Sequence, residues 1–99
     1  MLKINKTIEN NKATLALSGR LDTTTAPELD AELKACIFDL TELIFDVKDL
    51  DYISSAGLRV LLSAQKVMNK QGTMIVRNAN EVIMEIFEVT GFSDILTIE

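Results

Sequence analysis

Two adjacent serines, Ser54 and Ser55, stand where an alternating stretch (Leu50, Tyr52 and Ile53 among Asp49 and Asp51) gives way to Ala56, Gly57 and a long periodic segment. Such a strand-to-helix turn leaves a serine at a helix start. The first amides of a helix have no intrahelical partner and its dipole makes that end weakly positive, so a hydroxyl there either caps the helix or offers a place for phosphate. Asp46, near the carboxyl end of an apolar run, reads either as a solvated strand terminus or as part of a site, because open α/β sheets hold ligands at strand carboxyl ends.

Other chemistries are excluded by what the chain lacks. With no histidine, neither a Ser-His-Asp nor a Cys-His nucleophile can be built within it, and a zinc or iron site would rest on carboxylates and one thiol. Neither phosphate-cradling glycine motif is present, and the serine turn is not the Gly-x-Ser-x-Gly elbow of hydrolases. No catalytic residue, cofactor or metal is expected. A binding or regulatory module is favoured over an enzyme. The single Cys36 cannot form an internal disulfide, which agrees with a reducing compartment, and reads as core filler.

A chain of 99 residues reads as one domain, 1–99, large enough for its own core. Hydrophobic residues make up 47% and charged ones 25%, as in ordinary globular proteins. Ten basic against fifteen acidic residues leave −5, and the basic ones are scattered. Nucleic acid and anionic membrane are therefore not expected as direct partners. No segment has the apolar length of a signal peptide or membrane span, which places the protein in the cytoplasm.

The elements that must position the serine turn follow from periodicity. Residues 3–9 and 13–18 alternate around Asn10-Asn11, an antiparallel hairpin that Gly19-Arg20-Leu21-Asp22 ends. Thr25, Pro27 and Glu28 have the spacing of a capping box ahead of a helix over 26–37. Leu43–Val47 suits a strand covered on both faces. Gly57, Val60, Leu61, Ala64, Val67 and Met68 mark a helix over about 56–70, which Gly72 should end with a left-handed cap. Leu58 and Leu62, beside that stripe, either widen the core contact or leave apolar surface near the serines. A strand over 73–77, a helix through Val82, Ile83, Ile86 and Phe87 closed by Gly91, and a last strand or tail at 95–98 complete the chain. The fold class is α/β, a mixed sheet of four to five strands opening with an antiparallel hairpin, with three or more packed helices.

Gly19-Arg-Leu-Asp22 before a Thr-rich helix start, Leu43-Ile-Phe-Asp46, Tyr52-Ile-Ser-Ser-Ala-Gly-Leu58 and Phe87-Glu-Val-Thr-Gly-Phe92, in that order, resemble the STAS domain of bacterial anti-sigma factor antagonists. The Ser-Ser-Ala-Gly-Leu turn is the most specific element. The resemblance implies a protein that binds an anti-sigma factor, which is also a serine kinase, and so releases a sigma factor. It implies that phosphorylation of the serine two residues before the turn glycine ends binding, and that a phosphoserine phosphatase restores it. That serine is Ser55, with Gly57 as the glycine. Where the family most often has Asp before the serine, this chain has Ser54, which becomes the second choice. The implied partner surface comprises Asp22, Thr23, Thr24, Ser54, Ser55, Ala56, Gly57, Leu58 and Arg59, with Asp22 beside the phosphorylation site.

Two other classes fit the same turn. In a non-phosphorylated STAS subunit of an assembly such as a lipid-transport complex, it would be a plain docking surface. In a nucleotide or small-ligand sensor, the helix start would hold the anion.

Overall fold

The computed structural model describes all residues, 1–99. Strand β1 (Leu2–Glu9) pairs antiparallel with β2 (Lys12–Leu21). Asn10, at φ 56, supplies the left-handed residue the tight turn between them requires. The hairpin pairing stops at Leu2 opposite Gly19, as the sequence suggests, but the strand does not. β2 runs on to Leu21 along β3 (Glu42–Ile53), in parallel, through two register shifts. Gly19 has φ +94, and a Cβ on it would strike the Met1 carbonyl. β4 (Thr73–Arg77) joins the far side of β3, also in parallel, giving the order β1-β2-β3-β4. The sheet is mixed and four-stranded. The tail contributes one bridge, Ile98 to Val76.

The apolar run at 43–47 and the alternating strand end at 49–53 are one continuous strand, β3, of twelve residues. Lys48 and Asp49 interrupt the hydrophobic pattern but are exposed, and pairing with β2 resumes at Asp49 after a register shift. Alternation then sorts the faces. Leu15, Leu17, Leu43, Phe45, Val47, Met74 and Val76 enter one buried cluster, while Thr14, Ala16, Asp46 and Arg77 on the opposite face stay half-buried.

The cluster is closed by helices α1 (Ala26–Lys34), α2 (Ser55–Gln71) and α3 (Glu81–Thr90). α1 is shorter than the predicted 26–37, because Cys36 leaves the helical region and Ile37–Asp39 forms a separate 3-10 turn. Leu29 and Leu33 bury its inner face and Cys36 packs at the cluster's edge. α2 buries Leu58, Leu61, Ala64 and Met68 and exposes Arg59, Ser63, Lys66 and Lys70, so its periodicity was a faithful guide and Leu58 belongs to the core. Gly72 is not the left-handed cap expected. Its φ is 176, an extended conformation, and glycine is needed because a Cβ would collide with the Thr41 backbone. Gln71 anchors this end by donating to the carbonyls of Ile37 and Leu40 at 2.6 and 2.7 Å. α3 ends as predicted at Gly91, φ 82.

Candidate functional site

The carboxyl ends of β2 and β3 lie side by side, Leu21 opposite Ile53, and the chain leaves each into a helix. The Ser54 amide donates to the Leu21 carbonyl at 2.8 Å and locks the two exits together. Both exits carry predicted site residues. This is the end of a parallel pair where an α/β sheet presents its loops to a ligand or partner.

At the β3 exit the two serines separate into different roles. Ser54 has extended backbone, and its hydroxyl accepts the Gly57 amide at 3.3 Å, the geometry of an N-cap. Ser55 is the first helical residue, is exposed, and its hydroxyl has no partner within the protein. The amides of Ser55 and Ala56 also lack intrahelical acceptors. A phosphoryl group on Ser55 would meet the positive end of a 17-residue helix. Arg59 is one turn on, exposed and free of any ion pair, and at i+4 it shares a face with Ser55.

Gly57 lies inside the first turn of α2 and is buried, as its place at the head of the helical stripe predicts. Close packing is what requires it. A Cβ there would come within 2.6 Å of Leu21 Cγ and 3.1 Å of Ile53 Cγ2. Gly57 thus lets the helix start sit directly on both strand ends. Leu58, 5% exposed, lies beneath the same surface.

At the β2 exit, Asp22 organises the threonines. Its Oδ1 accepts the Thr24 amide at 3.0 Å, the Thr24 hydroxyl at 2.8 Å and the Thr25 amide at 3.1 Å, while its own carbonyl accepts the Ala26 amide at 2.8 Å. The Thr25-Glu28 capping box does not form, since Thr25 turns its hydroxyl back to the Arg20 carbonyl at 2.8 Å. Asp22 instead closes the turn ahead of α1, its carboxylate accepting the Thr24 and Thr25 amides. The Thr24 hydroxyl leads the bonds that hold its carboxyl down at about 2, with the Thr24 and Thr25 amides and the Thr25 hydroxyl adding to it. Asp22 is therefore a fixed negative charge at neutral pH. Arg20 faces its second oxygen at 3.7 Å and lies 4.6 Å above the Tyr52 ring, joining the two exits on the surface.

Thr23 and Thr24 are exposed above this turn. Thr23, Ala56 and Arg59 line one shallow groove between α1 and α2, so these three are brought together. Asp46 is not. It lies eight residues before Ser54 on β3, about 25 Å away at ~3.3 Å per residue, where its Oδ1 accepts Lys48 and Asn78 nitrogens at 3.1 and 3.2 Å. Of these two aspartates Asp22 is the one beside the serine turn, next to Leu21 at the neighbouring strand exit. A second groove opens on the other side of Ser55, between α2 and α3, walled by Tyr52, Leu58, Val82, Ile86 and Val89. Leu58, one of the two residues whose spacing left open an apolar surface near the serines, lines this groove; its α3 wall was not foreseen, because Val82 and Ile86 fit the same stripe as the buried Ile83 and Phe87.

The STAS domain family model matches residues 3–99. The chain belongs to the STAS domain family. This STAS domain is 39% identical over 85 residues to BtrV of Bordetella bronchiseptica, named as an inferred anti-sigma factor antagonist, covering 83% of this chain and 72% of that one. It is 29% identical over 100 residues to the anti-sigma-B factor antagonist of Bacillus subtilis, covering 98% and 92%. In structure it is similar to an anti-sigma factor antagonist from Mycobacterium paratuberculosis, with TM-score 0.89 at 19% identity over 99% of this chain and 85% of that one. It is also similar to the Bacillus cell fate determinant SpoIIAA in its phosphorylated form, with TM-score 0.75 at 18% identity over 100% and 91%. At those identities the two structures speak for the fold alone. The opening hairpin, the four-stranded mixed sheet and the three helices of this STAS domain are the architecture they share. No helix is long and apolar enough to cross a membrane.

Proposed function

We propose that this STAS domain is an anti-sigma factor antagonist of the cytoplasm, a binding module rather than an enzyme, switched by phosphate on Ser55. The observation that carries this reading is the division of labour between the serines. Ser54 caps α2, so Ser55 offers an exposed hydroxyl with no structural duty. The names of the relatives support the antagonist role.

In the unmodified state the partner is an anti-sigma factor that is also a serine kinase. It docks over Asp22, Thr23, Thr24, Ser54, Ser55, Ala56 and Arg59, with Gly57 and Leu58 forming the packed layer beneath. Binding there competes with the sigma factor and releases it. The kinase transfers the γ-phosphoryl group of ATP to the Ser55 oxygen, with loss of the hydroxyl proton and ADP as leaving group. The product carries about −1.5 to −2 charge at neutral pH. The fold accommodates it, because the free helix amides and Arg59 face it. The interface does not. A partner surface shaped for a small neutral hydroxyl beside the Asp22 carboxylate meets bulk and like charge together, at a cost of order 3 kcal/mol, or about 100-fold in affinity. A phosphoserine phosphatase then restores binding.

Titration calorimetry with the cognate anti-sigma factor tests this. Wild type and Ser55→Ala should bind, and Ser55→Asp should bind about 100-fold more weakly. Equal binding by all three would leave a docking subunit without a switch, as in a lipid-transport assembly.

A further inference from the structure

Helix α3 carries three stripes where a surface helix ordinarily carries two. Ile83 and Phe87 are wholly buried. Val82, Ile86 and Val89, spaced i, i+4, i+7, form an outward apolar stripe, with Val82 55% and Val89 80% exposed. Glu81, Glu85 and Glu88 repeat that spacing one position earlier, so an acidic stripe runs alongside. None of the three glutamates has an ion-pair partner, and the helix has no basic residue. The apolar stripe is one wall of the groove of about 460 Å³ whose other wall is Tyr52, Ser55 and Leu58. Glu85 is the one charged residue lining it, and no cation does.

We propose that this groove docks a cationic amphipathic helix of the phosphatase that acts on phosphorylated Ser55, apolar side chains inserted between α2 and α3 and Lys or Arg set against the α3 glutamates. Charge decides the occupant. An apolar floor beside three unpaired carboxylates matches a helix with a basic border. Phosphate on Ser55, at the edge of the same groove, adds negative charge and strengthens a basic partner's hold. The kinase-facing surface loses its partner on phosphorylation, whereas this one keeps or gains it. Only the protein that removes the phosphate needs to engage the modified form. The identity of the partner rests on the switch proposed above; the charge preference of the groove does not.

An 18-residue Leu/Lys amphipathic helical peptide is the probe, with its Leu/Glu counterpart as control, followed by amide shifts in NMR. The Leu/Lys peptide should move the signals of Ser55, Val82, Ile86 and Val89, and the Leu/Glu peptide should not. Glu85→Lys or Val89→Asp, both at exposed positions, should weaken binding at least tenfold. Asp39→Lys makes the same charge change in the exposed 3-10 turn far from the groove and should leave binding intact, whereas Ser55→Asp, which adds negative charge at the groove's edge, should tighten it. Equal loss with Asp39→Lys, or weaker binding by Ser55→Asp, overturns the proposal. With phosphorylated protein and its phosphatase, Glu85→Lys should lower kcat/KM tenfold while phosphorylation by the kinase is unchanged. An unchanged kcat/KM would remove the phosphatase as occupant even if the Ser55 switch holds.

Discussion

Ser54 accepts the Gly57 amide through its side chain at 3.3 Å, and that single bond determines which of two neighbouring hydroxyls is available for chemistry. A capping serine spends its oxygen on the helix. The residue after it, pointing outward from the first turn, is released from structural work. The order Ser-Ser at a strand-to-helix turn thus gives one anchor and one handle.

Removing the anchor should destabilise the fold and removing the handle should not. Ser54→Ala should cost about 1 kcal/mol, the usual loss for an N-cap, and lower Tm by about 4–8 °C in a domain of this size. Ser55→Ala should move Tm by no more than about 2–4 °C, since surface changes of this kind are typically within ±0.5 kcal/mol. Thermal unfolding followed by circular dichroism checks both. A larger loss at Ser55 than at Ser54 would reverse the assignment.

Asp22 should titrate at about pH 2 in the folded protein, well below an unconstrained carboxylate near 3.9. Because the folded value is depressed, its contribution to stability is present above the unfolded value and is lost as pH falls from about 4 toward 2. Thr24→Val removes the leading cause and should move the midpoint upward, narrowing that window. A carboxyl ¹³C NMR titration reads it directly. A midpoint near 3.9 in the native protein would show that the threonine loop is not held by this carboxylate.

Gly57→Ala should be destabilising although alanine is the better helix former by about 1 kcal/mol. The added methyl would meet Leu21 Cγ at 2.6 Å, within a fully buried side chain, and overpacking of this kind costs ~1–3 kcal/mol. The net should be a loss of about 1 kcal/mol, with shifted NMR signals at Leu21 and Ile53. A gain in Tm would mean that the strand ends yield to the helix.

Much of this architecture was legible because its periods are local. The stripe from Gly57 to Met68 and the exposed Arg59 and Lys66 read directly as α2, and Asn10 and Gly91 stand where left-handed backbone is needed. What escaped were choices made between segments. Thr25 and Glu28 have capping-box spacing, but Asp22 reaches the Thr24 and Thr25 amides first. β3 joins the apolar run and the alternating end into one strand across a register shift at Val47 and Lys48, and pairing with β2 resumes at Asp49. Along the chain Asp46 stands much closer to the serines than Asp22 does, and sheet register, with Leu21 opposite Ile53, reverses that order. Val82 and Ile83 are adjacent in sequence, yet the first is exposed and the second buried, because the helix is anchored on one line of contact, with Asn80 holding its start to the Leu50 carbonyl at 2.9 Å. Periodicity marks which residues are apolar. Packing partners decide which of them are covered.

The most direct test of the central claim is to incubate the domain with its cognate anti-sigma serine kinase and ATP and to map the product by mass spectrometry. One phosphoryl group should appear on Ser55, and none on Ser55→Ala, whereas Ser54→Ala should still be modified at Ser55. An unmodified wild-type protein, or phosphate found on Ser54, would contradict the account.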